Sequence, residues 1–271
     1  RFDLAPALNR TGNMIDSALF AAIAADPVLR QLKLIAEPWD ISRYSLGEFQ
    51  YPWREWNDYY RDAVRQFWLG DIARGFGEGV SALASSISGS SNIFYFRGPT
   101  TSINFITAHD GFTMNDLVTY HEKRNLPNEE DNRDGNNSNR SWNVGHEGPT
   151  NDPKINQIRQ SLQKSMMATL LLSSGVPMVT MGDEVGRTQH GSNNAFTVPI
   201  DLNRNNWDKE VAWFGGWALD WNPTGDKKDL QDAFIELIRI RKTYLSDITS
   251  EFFTGRVDFG TERKDIAWFS L

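Results

Sequence analysis

Short apolar runs alternate with amphipathic segments along residues 1–244. Uninterrupted apolar runs of this length are typical of strands buried on both faces, and apolar residues three and four apart are typical of helices. The predicted strands are the end of one at Arg1–Ala5, then Lys33–Ala36, Trp53–Asn57, Ile103–Ala108 and Pro177–Met181. The predicted helices are Asn13–Ala25, Tyr59–Leu69, Gly75–Ser86, Ile155–Ser174 and Asp229–Tyr244. This alternation indicates an α/β fold with parallel strands and crossover helices.

Two regions depart from this alternation. Asn125–Asp152 is a long polar loop, and long loops in compact domains are usually functional or disordered. Its Trp142 and the strand ends on either side favour function. Gly255–Leu271 alternates polar and apolar residues, which predicts hairpin strands of a separate all-β module.

Three predicted strands end in carboxylates, namely Asp3, Glu37 and Asp110. A single acid at a strand end is most often solvated, but the carboxyl ends of neighbouring parallel strands meet on one face. Two carboxylates close together are typical of glycoside hydrolases, with one ionised and one protonated. Arg1 should share a face with Asp3 and lower its pKa, and an apolar setting beside Trp39 should raise the pKa of Glu37.

Composition narrows the choice of partners. The 271 residues are 39% hydrophobic and 23% charged, which is typical of a globular protein. The net charge of −7, with no block of Lys or Arg, argues against nucleic acid and anionic membranes as partners. Ten Trp and sixteen Phe suit sugar binding and core packing equally. The sequence has no Cys and hence no disulfide or thiolate metal site, and its longest apolar stretch, Met166–Leu172, is too short to span a bilayer.

Three ordered segments resemble signature regions of a known family. Arg1-Phe2-Asp3-Leu4-Ala5, Ile35-Ala36-Glu37-Pro38-Trp39-Asp40 and Asn104-Phe105-Ile106-Thr107-Ala108-His109-Asp110-Gly111 are similar to the second, third and fourth signatures of the α-amylase superfamily, glycoside hydrolase family 13. The closest branch is that of the glycogen-debranching enzymes and isoamylases. The resemblance is close over residues 1–195 and loose from Asp229 onward.

The resemblance implies a role for each matching residue. Asp3 matches the nucleophile, Glu37 the general acid/base, and Asp110 the third carboxylate, which holds sugar hydroxyls. Arg1 matches the arginine that orients the nucleophile, and His109 matches a histidine that binds hydroxyls of the sugar whose bond is cleaved.

Two tryptophans and two acids each fit two different roles. Trp39 and Trp142 would either stack on glucan rings or pack in the core. Asp183 and Glu184 could contact substrate, although a structural role is favoured.

The resemblance implies about strands four to eight of a (β/α)8 TIM barrel over residues 1–247, and the first strands of a C-terminal β-sandwich over residues 248–271. It implies retaining hydrolysis of α-1,6 branch linkages in glycogen or limit dextrin, in the cytoplasm, with branched α-glucan as the partner and no cofactor or metal. Two alternatives stay open: an α-1,4-acting amylase or glucanotransferase, and a non-catalytic glycan-binding fragment.

The chain departs from the family pattern in two places. The first signature and the barrel strands that would precede Arg1 are absent, and Phe196 and Thr197–Asp201 replace a Tyr and a Gln-Asp-Asn run. The second departure bears on which lengths of glucan chain the enzyme prefers. From the first we expect this chain alone to be inactive on glycogen and to associate through its open strand edges, with the N-terminal half of the barrel as its missing partner.

Overall fold

A computed structural model describes residues 1–267 apart from residues 10, 11, 13, 15, 16, 76, 78, 196–221, 246–249, 258, 259 and 261. Four strands form one parallel sheet in chain order: Ile35–Ala36 (β1), Arg54–Asn57 (β2), Ser102–Asn104 (β3) and Val176–Pro177 (β4). Phe2 extends the sheet beyond β1 through a parallel bridge to Ala36. The predicted order of five parallel segments is therefore confirmed.

The hydrogen-bonded strands are shorter than predicted because polar side chains replace strand neighbours as partners. Beyond β3, the carbonyl oxygen of Ile106 accepts from Nε and Nη2 of Arg65, at 2.9 and 2.5 Å. The next residue, Thr107, donates through its hydroxyl to Asp183. Phe105, Ile106 and Thr107 therefore remain buried after the ladder has ended.

Helices connect the strands and pack on the sheet. They are Ala18–Ala25 (α1), Asp58–Arg65 (α2), Ile72–Arg74 (α3), Val80–Ile87 (α4), Ser91–Phe94 (α5), Met114–Leu117 (α6), Pro153–Leu172 (α7) and Asp226–Ile240 (α8). α1 begins at Ala18 rather than at the predicted Asn13, because Ser17 caps it by accepting from the Phe20 N–H. α4 begins at Val80 rather than Gly75, because Gly75 at φ +72° ends α3.

The core lies mainly between the sheet and the helices. Its largest cluster joins α2, α4 and α7 to the segment after β3, and includes Tyr60, Val64, Ile106, Met166 and Leu170. A separate cluster contains Trp56, Ile103 and Phe105. Trp56 and Ile103 are register partners on adjacent strands, and Phe105 lies two residues further along.

At the C-terminal end, Val257 and Lys264 form an antiparallel bridge, as expected for a hairpin. The predicted hairpin residues Phe259 and Trp268 lie outside the described residues, and the division into domains at residue 247 remains a prediction. In the described part of the chain, no helix combines the length and the apolar character needed to cross a membrane.

Candidate active site

A strained turn at the end of the first strand segment presents Asp3. After Phe2 the chain turns through Asp3 and Leu4 into a 3-10 helix, Ala5–Asn9. Leu4 adopts a φ of +45°, a left-handed conformation that costs free energy for a residue with a side chain. The turn leaves the Asp3 carboxylate 60% exposed and directs the Leu4 N–H to Oε2 of Glu37, at 3.0 Å.

Glu37 lies beneath this turn at the end of β1. Its side chain is only 6% exposed, in contrast to that of Asp3. The backbone fixes its position, since the Glu37 N–H donates to the Phe2 carbonyl and the Ala5 N–H donates to the Glu37 carbonyl, both at 3.0 Å. The two acids are therefore held side by side by the first strand pairing of the sheet.

Arg1 contacts both acids. Its Nη2 lies 2.8 Å from Oδ1 of Asp3, and its Nη1 lies 3.3 Å from Oε2 of Glu37. The guanidinium stacks over the ring of Trp56, with Cζ 4.4 Å from the ring centroid. The prediction that Arg1 shares a face with Asp3 is confirmed by these contacts.

The pKa values of the two acids shift in opposite directions. Burial raises the pKa of Glu37 to about 7, and its hydrogen bond with Asp3 and the charge of Asp3 act in the same sense. The same hydrogen bond from Glu37 lowers the pKa of Asp3, and the charge of Arg1 lowers it further. Near pH 6 the pair therefore consists of an ionised, exposed Asp3 and a protonated, buried Glu37.

His109 and Asp110 complete the group. Nε2 of His109 lies 3.4 Å from Oδ2 of Asp110 and 4.0 Å from Oδ1 of Asp3. The imidazole also rests on Trp56, with ring centroids 5.8 Å apart. Asp110 is 67% exposed, so its carboxylate faces solvent beside the acid pair. The structure thus brings together Arg1, Asp3, Glu37, His109 and Asp110.

The two predicted aromatic platforms lie in different surroundings. Trp39 packs against the Trp56 cluster that supports the acids. Trp142 packs instead against the large cluster beside α7, and its backbone N–H donates to the Leu117 carbonyl at 2.9 Å. Of the two, only Trp39 shares its packing with residues of the candidate site.

Sequence reasoning missed two contributors to this arrangement. The sequence places Trp56 only within the predicted strand Trp53–Asn57, yet its 6% exposed ring lies under both Arg1 and His109. Its position before the end of β2, level with the acids, is the signal that could have identified it. Leu4 supplies the N–H that holds Glu37, a role of the backbone that its side chain does not reveal.

Asp183 is structural rather than exposed to substrate. Its side chain is fully buried and accepts from the Thr107 hydroxyl and from the Met114 N–H, the latter at 3.0 Å. These contacts tie the segment after β4 to the segment after β3. The prediction that favoured a structural role for this acid agrees with its burial.

The long polar loop is also tied to the segment after β4. Nδ2 of Asn125 donates to Oδ1 of Asn193 at 2.8 Å and to the Asp134 carbonyl at 2.9 Å. Nδ2 of Asn193 in turn donates to Oδ1 of Asn139 at 2.8 Å. This network orders the loop, while its role in function remains a prediction.

No three His, Asp or Glu side chains come together as metal ligands within the described ranges. The arrangement at Asp3 and Glu37 instead provides an ionised carboxylate, a protonated carboxyl group, and polar groups that can bind hydroxyls.

Comparison with known proteins shows which sequences this chain resembles. No family model matches it. It is 44% identical over 277 aligned residues to the glycogen operon protein GlgX homolog of Mycobacterium tuberculosis, covering 100% of this chain and 36% of that protein. It is 48% identical over 227 residues to the glycogen debranching enzyme of Erwinia tasmaniensis, covering 82% of this chain and 32% of that enzyme. The chain thus spans about a third of the length of the curated relatives it matches.

Solved structures agree on the fold. The pullulanase from Bacillus acidopullulyticus superposes with a TM-score of 0.58 at 21% identity, covering 90% of this chain and 26% of that one. A Paenibacillus barengoltzii pullulanase complexed with maltohexaose and α-cyclodextrin gives a TM-score of 0.55 at 21% identity, covering 89% and 33%. The parallel sheet and its crossover helices therefore correspond to part of the α/β barrel of these enzymes. The chain belongs to the glycogen-debranching branch of the α-amylase superfamily.

Proposed function

We propose that the protein carrying this chain is a retaining glycoside hydrolase that cleaves α-1,6 branch linkages of glycogen or a limit dextrin. The joint contact of Asp3 and Glu37 with Arg1, together with the opposite shifts of their pKa values, is the observation that carries the proposal. Hydrolysis of a glycosidic bond requires one carboxylate and one carboxylic acid on either side of it. A pair with this asymmetry supplies both at the same pH.

Each group has a definite task in this proposal. Asp3, ionised and exposed, attacks the anomeric carbon of the glucosyl unit, while Glu37 donates its proton to the leaving oxygen. Glu37 then accepts a proton from the water that hydrolyses the glucosyl–Asp3 ester. Arg1 keeps Asp3 ionised through the 2.8 Å contact between Nη2 and Oδ1. His109 and Asp110 hold hydroxyls of the same sugar.

The spacing of the acids supports retention of configuration. Inverting enzymes hold their carboxyl groups about 6.5–9.5 Å apart to seat a water, whereas retaining enzymes hold them about 5–5.5 Å apart. One guanidinium contacts both acids, with Nη2 of Arg1 2.8 Å from Oδ1 of Asp3 and Nη1 3.3 Å from Oε2 of Glu37, which favours the closer of the two spacings. A covalent glucosyl intermediate on Asp3 is the route that this spacing favours.

The assignment of α-1,6 rather than α-1,4 linkages rests on the sequence relatives. Proteins named glycogen debranching enzyme share 45–48% identity with this chain, which favours α-1,6 cleavage over an α-1,4-acting amylase. A cytoplasmic location and a partner half of the barrel outside this chain belong to the same proposal.

Substrate preference tests the proposal. The protein, expressed with any flanking sequence that its gene encodes, is incubated with β-limit dextrin and with linear amylose, and the released reducing sugar is measured. We expect release from the branched dextrin and little from amylose. Comparable release from both would favour the α-1,4-acting alternative. No release from either, by folded protein, would favour the glycan-binding alternative.

A further inference from the structure

The segment that carries Asp110 continues beyond the end of β3 at Asn104. Its backbone is held there by the segment after β4. The N–H of Gly111, which directly follows Asp110, donates to the Asn193 carbonyl at 2.9 Å. Gly111 adopts a φ of +101°, which glycine tolerates without strain, so the chain turns sharply at this bond. The position of the Asp110 backbone therefore depends on that of Asn193.

The side chain of Asn193 is enclosed by the long polar loop and is only 2% exposed. Its Oδ1 accepts from Nδ2 of Asn125 at 2.8 Å, and its Nδ2 donates to the Asn136 carbonyl at 2.6 Å and to Oδ1 of Asn139 at 2.8 Å. Its backbone N–H donates to Oδ1 of Asn125 at 3.1 Å. Four hydrogen bonds with one loop thus fix the residue whose carbonyl holds Gly111.

A glycine lets the loop approach Asn193 this closely. Gly135 adopts a φ of +71°, and a Cβ atom at this position would lie 2.2 Å from Oδ1 of Asn193 and 2.8 Å from Nδ2 of Asn125. The amide of Asn193 could not move aside without losing its hydrogen bonds to the loop. Close packing and hydrogen bonding therefore fix the same side chain.

Asp110 has little other support within the candidate site. Its carboxylate is 67% exposed, and the 3.4 Å between its Oδ2 and Nε2 of His109 is longer than a good hydrogen bond. Groups that bind substrate need surrounding contacts to hold them within about 0.5 Å of their working position. We propose that the long polar loop positions Asp110 to bind sugar hydroxyls, with Asn193 as the positioning residue that links the two. The inference rests on the proposed function for the task of Asp110.

The test measures sugar binding separately from hydrolysis. The protein, with any flanking sequence that its gene encodes, carries Asp3→Asn so that β-limit dextrin is not consumed, and titration calorimetry gives the Kd of the dextrin. Gly135→Ala introduces the Cβ atom that displaces Asn193. Gly145→Ala is the matched control, because Gly145 lies in the same loop at a φ of +79° and its Cβ atom would meet no described residue within 4 Å.

We expect Gly135→Ala to weaken dextrin binding about three- to tenfold, as for the loss of one hydrogen bond to a sugar hydroxyl. Gly145→Ala should change the Kd by less than about twofold. In a protein that also carries Asp110→Ala, Gly135→Ala should change the Kd by less than about twofold, because the carboxylate that it displaces is already gone. Equal losses with and without Asp110, or equal Kd values for the two glycine variants, would overturn the inference.

A second variant and a separate assay complete the test. If Gly135→Ala fails to fold by circular dichroism, Asn193→Ala removes the three side-chain hydrogen bonds and replaces it. Reducing-sugar release by the protein without Asp3→Asn decides the proposed function. The expected Kd pattern in a protein that releases no sugar would uphold the role of Asn193 and reject the hydrolase activity. Dextrin binding that Asp110→Ala does not weaken would overturn the inference.

Discussion

Glu37 and Asp3 both contact the guanidinium of Arg1, and burial shifts their pKa values apart. The Glu37 side chain is 6% exposed, whereas that of Asp3 is 60% exposed. Because the buried member holds the proton and the exposed member holds the charge, their positions agree with the proposed roles of acid and nucleophile.

Replacing either acid by its amide should abolish turnover. Asp3→Asn removes the nucleophile, and Glu37→Gln removes a proton donor worth roughly 10²–10⁴-fold. Both changes keep the shape of the side chain, so the thermal unfolding midpoint should stay close to that of the wild type. Glu122→Gln makes the same exchange at an exposed position and should retain full activity. Near wild-type kcat in either amide variant would contradict the assigned roles.

The pH dependence of kcat/KM should be bell-shaped. Activity requires ionised Asp3, whose pKa lies below its ordinary 3.8, and protonated Glu37, whose pKa is about 7. Activity should therefore fall at high pH as Glu37 loses its proton near pH 7. An NMR titration of Glu37 in Asp3→Asn should give a lower pKa than in the wild type, because the charge of Asp3 is gone. An unchanged Glu37 pKa would contradict the coupling.

Much of this site could be predicted from sequence, because strand ends in a parallel sheet converge whatever their sequence separation. The order of strands and the meeting of Asp3, Glu37 and Asp110 follow from that rule. The position of Trp56 near the end of its strand places it level with the acids, but its contact with Arg1 could not be predicted, because that contact depends on the distance between the two side chains in space. The strand lengths were overestimated because apolar runs report burial, and burial continues at Ile106 where the ladder has ended.

Trp56 should act as a positioning residue. Trp56→Leu removes the ring under Arg1 and His109, and a cation–π contact of about 0.5–2 kcal/mol corresponds to roughly a two- to thirtyfold loss of kcat/KM. Trp56→Phe keeps an aromatic face and should recover part of the loss. Trp68→Leu serves as a control, because Trp68 is half-buried and packs against the large cluster that joins α2, α4 and α7 rather than beside the acids.

Both leucine variants should lower the unfolding midpoint, since large-to-small changes in a core are costly. Only Trp56→Leu should also move the acidic limb of the kcat/KM profile to higher pH, because a misplaced Arg1 no longer keeps the pKa of Asp3 low. Identical pH profiles for the two variants would show that Trp56 has only a packing role.

Asp183 should stabilise the fold without touching substrate. Asp183→Asn keeps one acceptor oxygen and places an amide NH₂ against one of the two donors, Thr107 or Met114, at a cost of about 1–3 kcal/mol in the free energy of unfolding. Urea denaturation measures this cost, and kcat at saturating substrate should change little in the folded variant. A stability equal to that of the wild type would contradict the structural role.

The same acid predicts a pH dependence of stability. Burial raises the pKa of Asp183 to about 6 in the folded state, from an ordinary value of 3.8. The folded state therefore binds more protons between these two values, and the contribution of Asp183 to stability falls as pH rises from about 4 to about 6. Asp183→Asn has no titrating group at this position. The difference in the free energy of unfolding between the wild type and Asp183→Asn should therefore become smaller between about pH 4 and about pH 6. A difference that stays constant over this pH range would contradict the raised pKa of Asp183.

The most direct test of the central claim is to trap the glucosyl group on Asp3. In Glu37→Gln, an α-glucosyl fluoride supplies a leaving group that needs no proton, so the first step proceeds while hydrolysis of the ester is slow. Intact mass spectrometry should show the addition of one glucosyl group, and peptide mapping should place it on the peptide that contains Asp3. A folded Glu37→Gln variant that forms no adduct, or carries it on Asp110, would contradict the account.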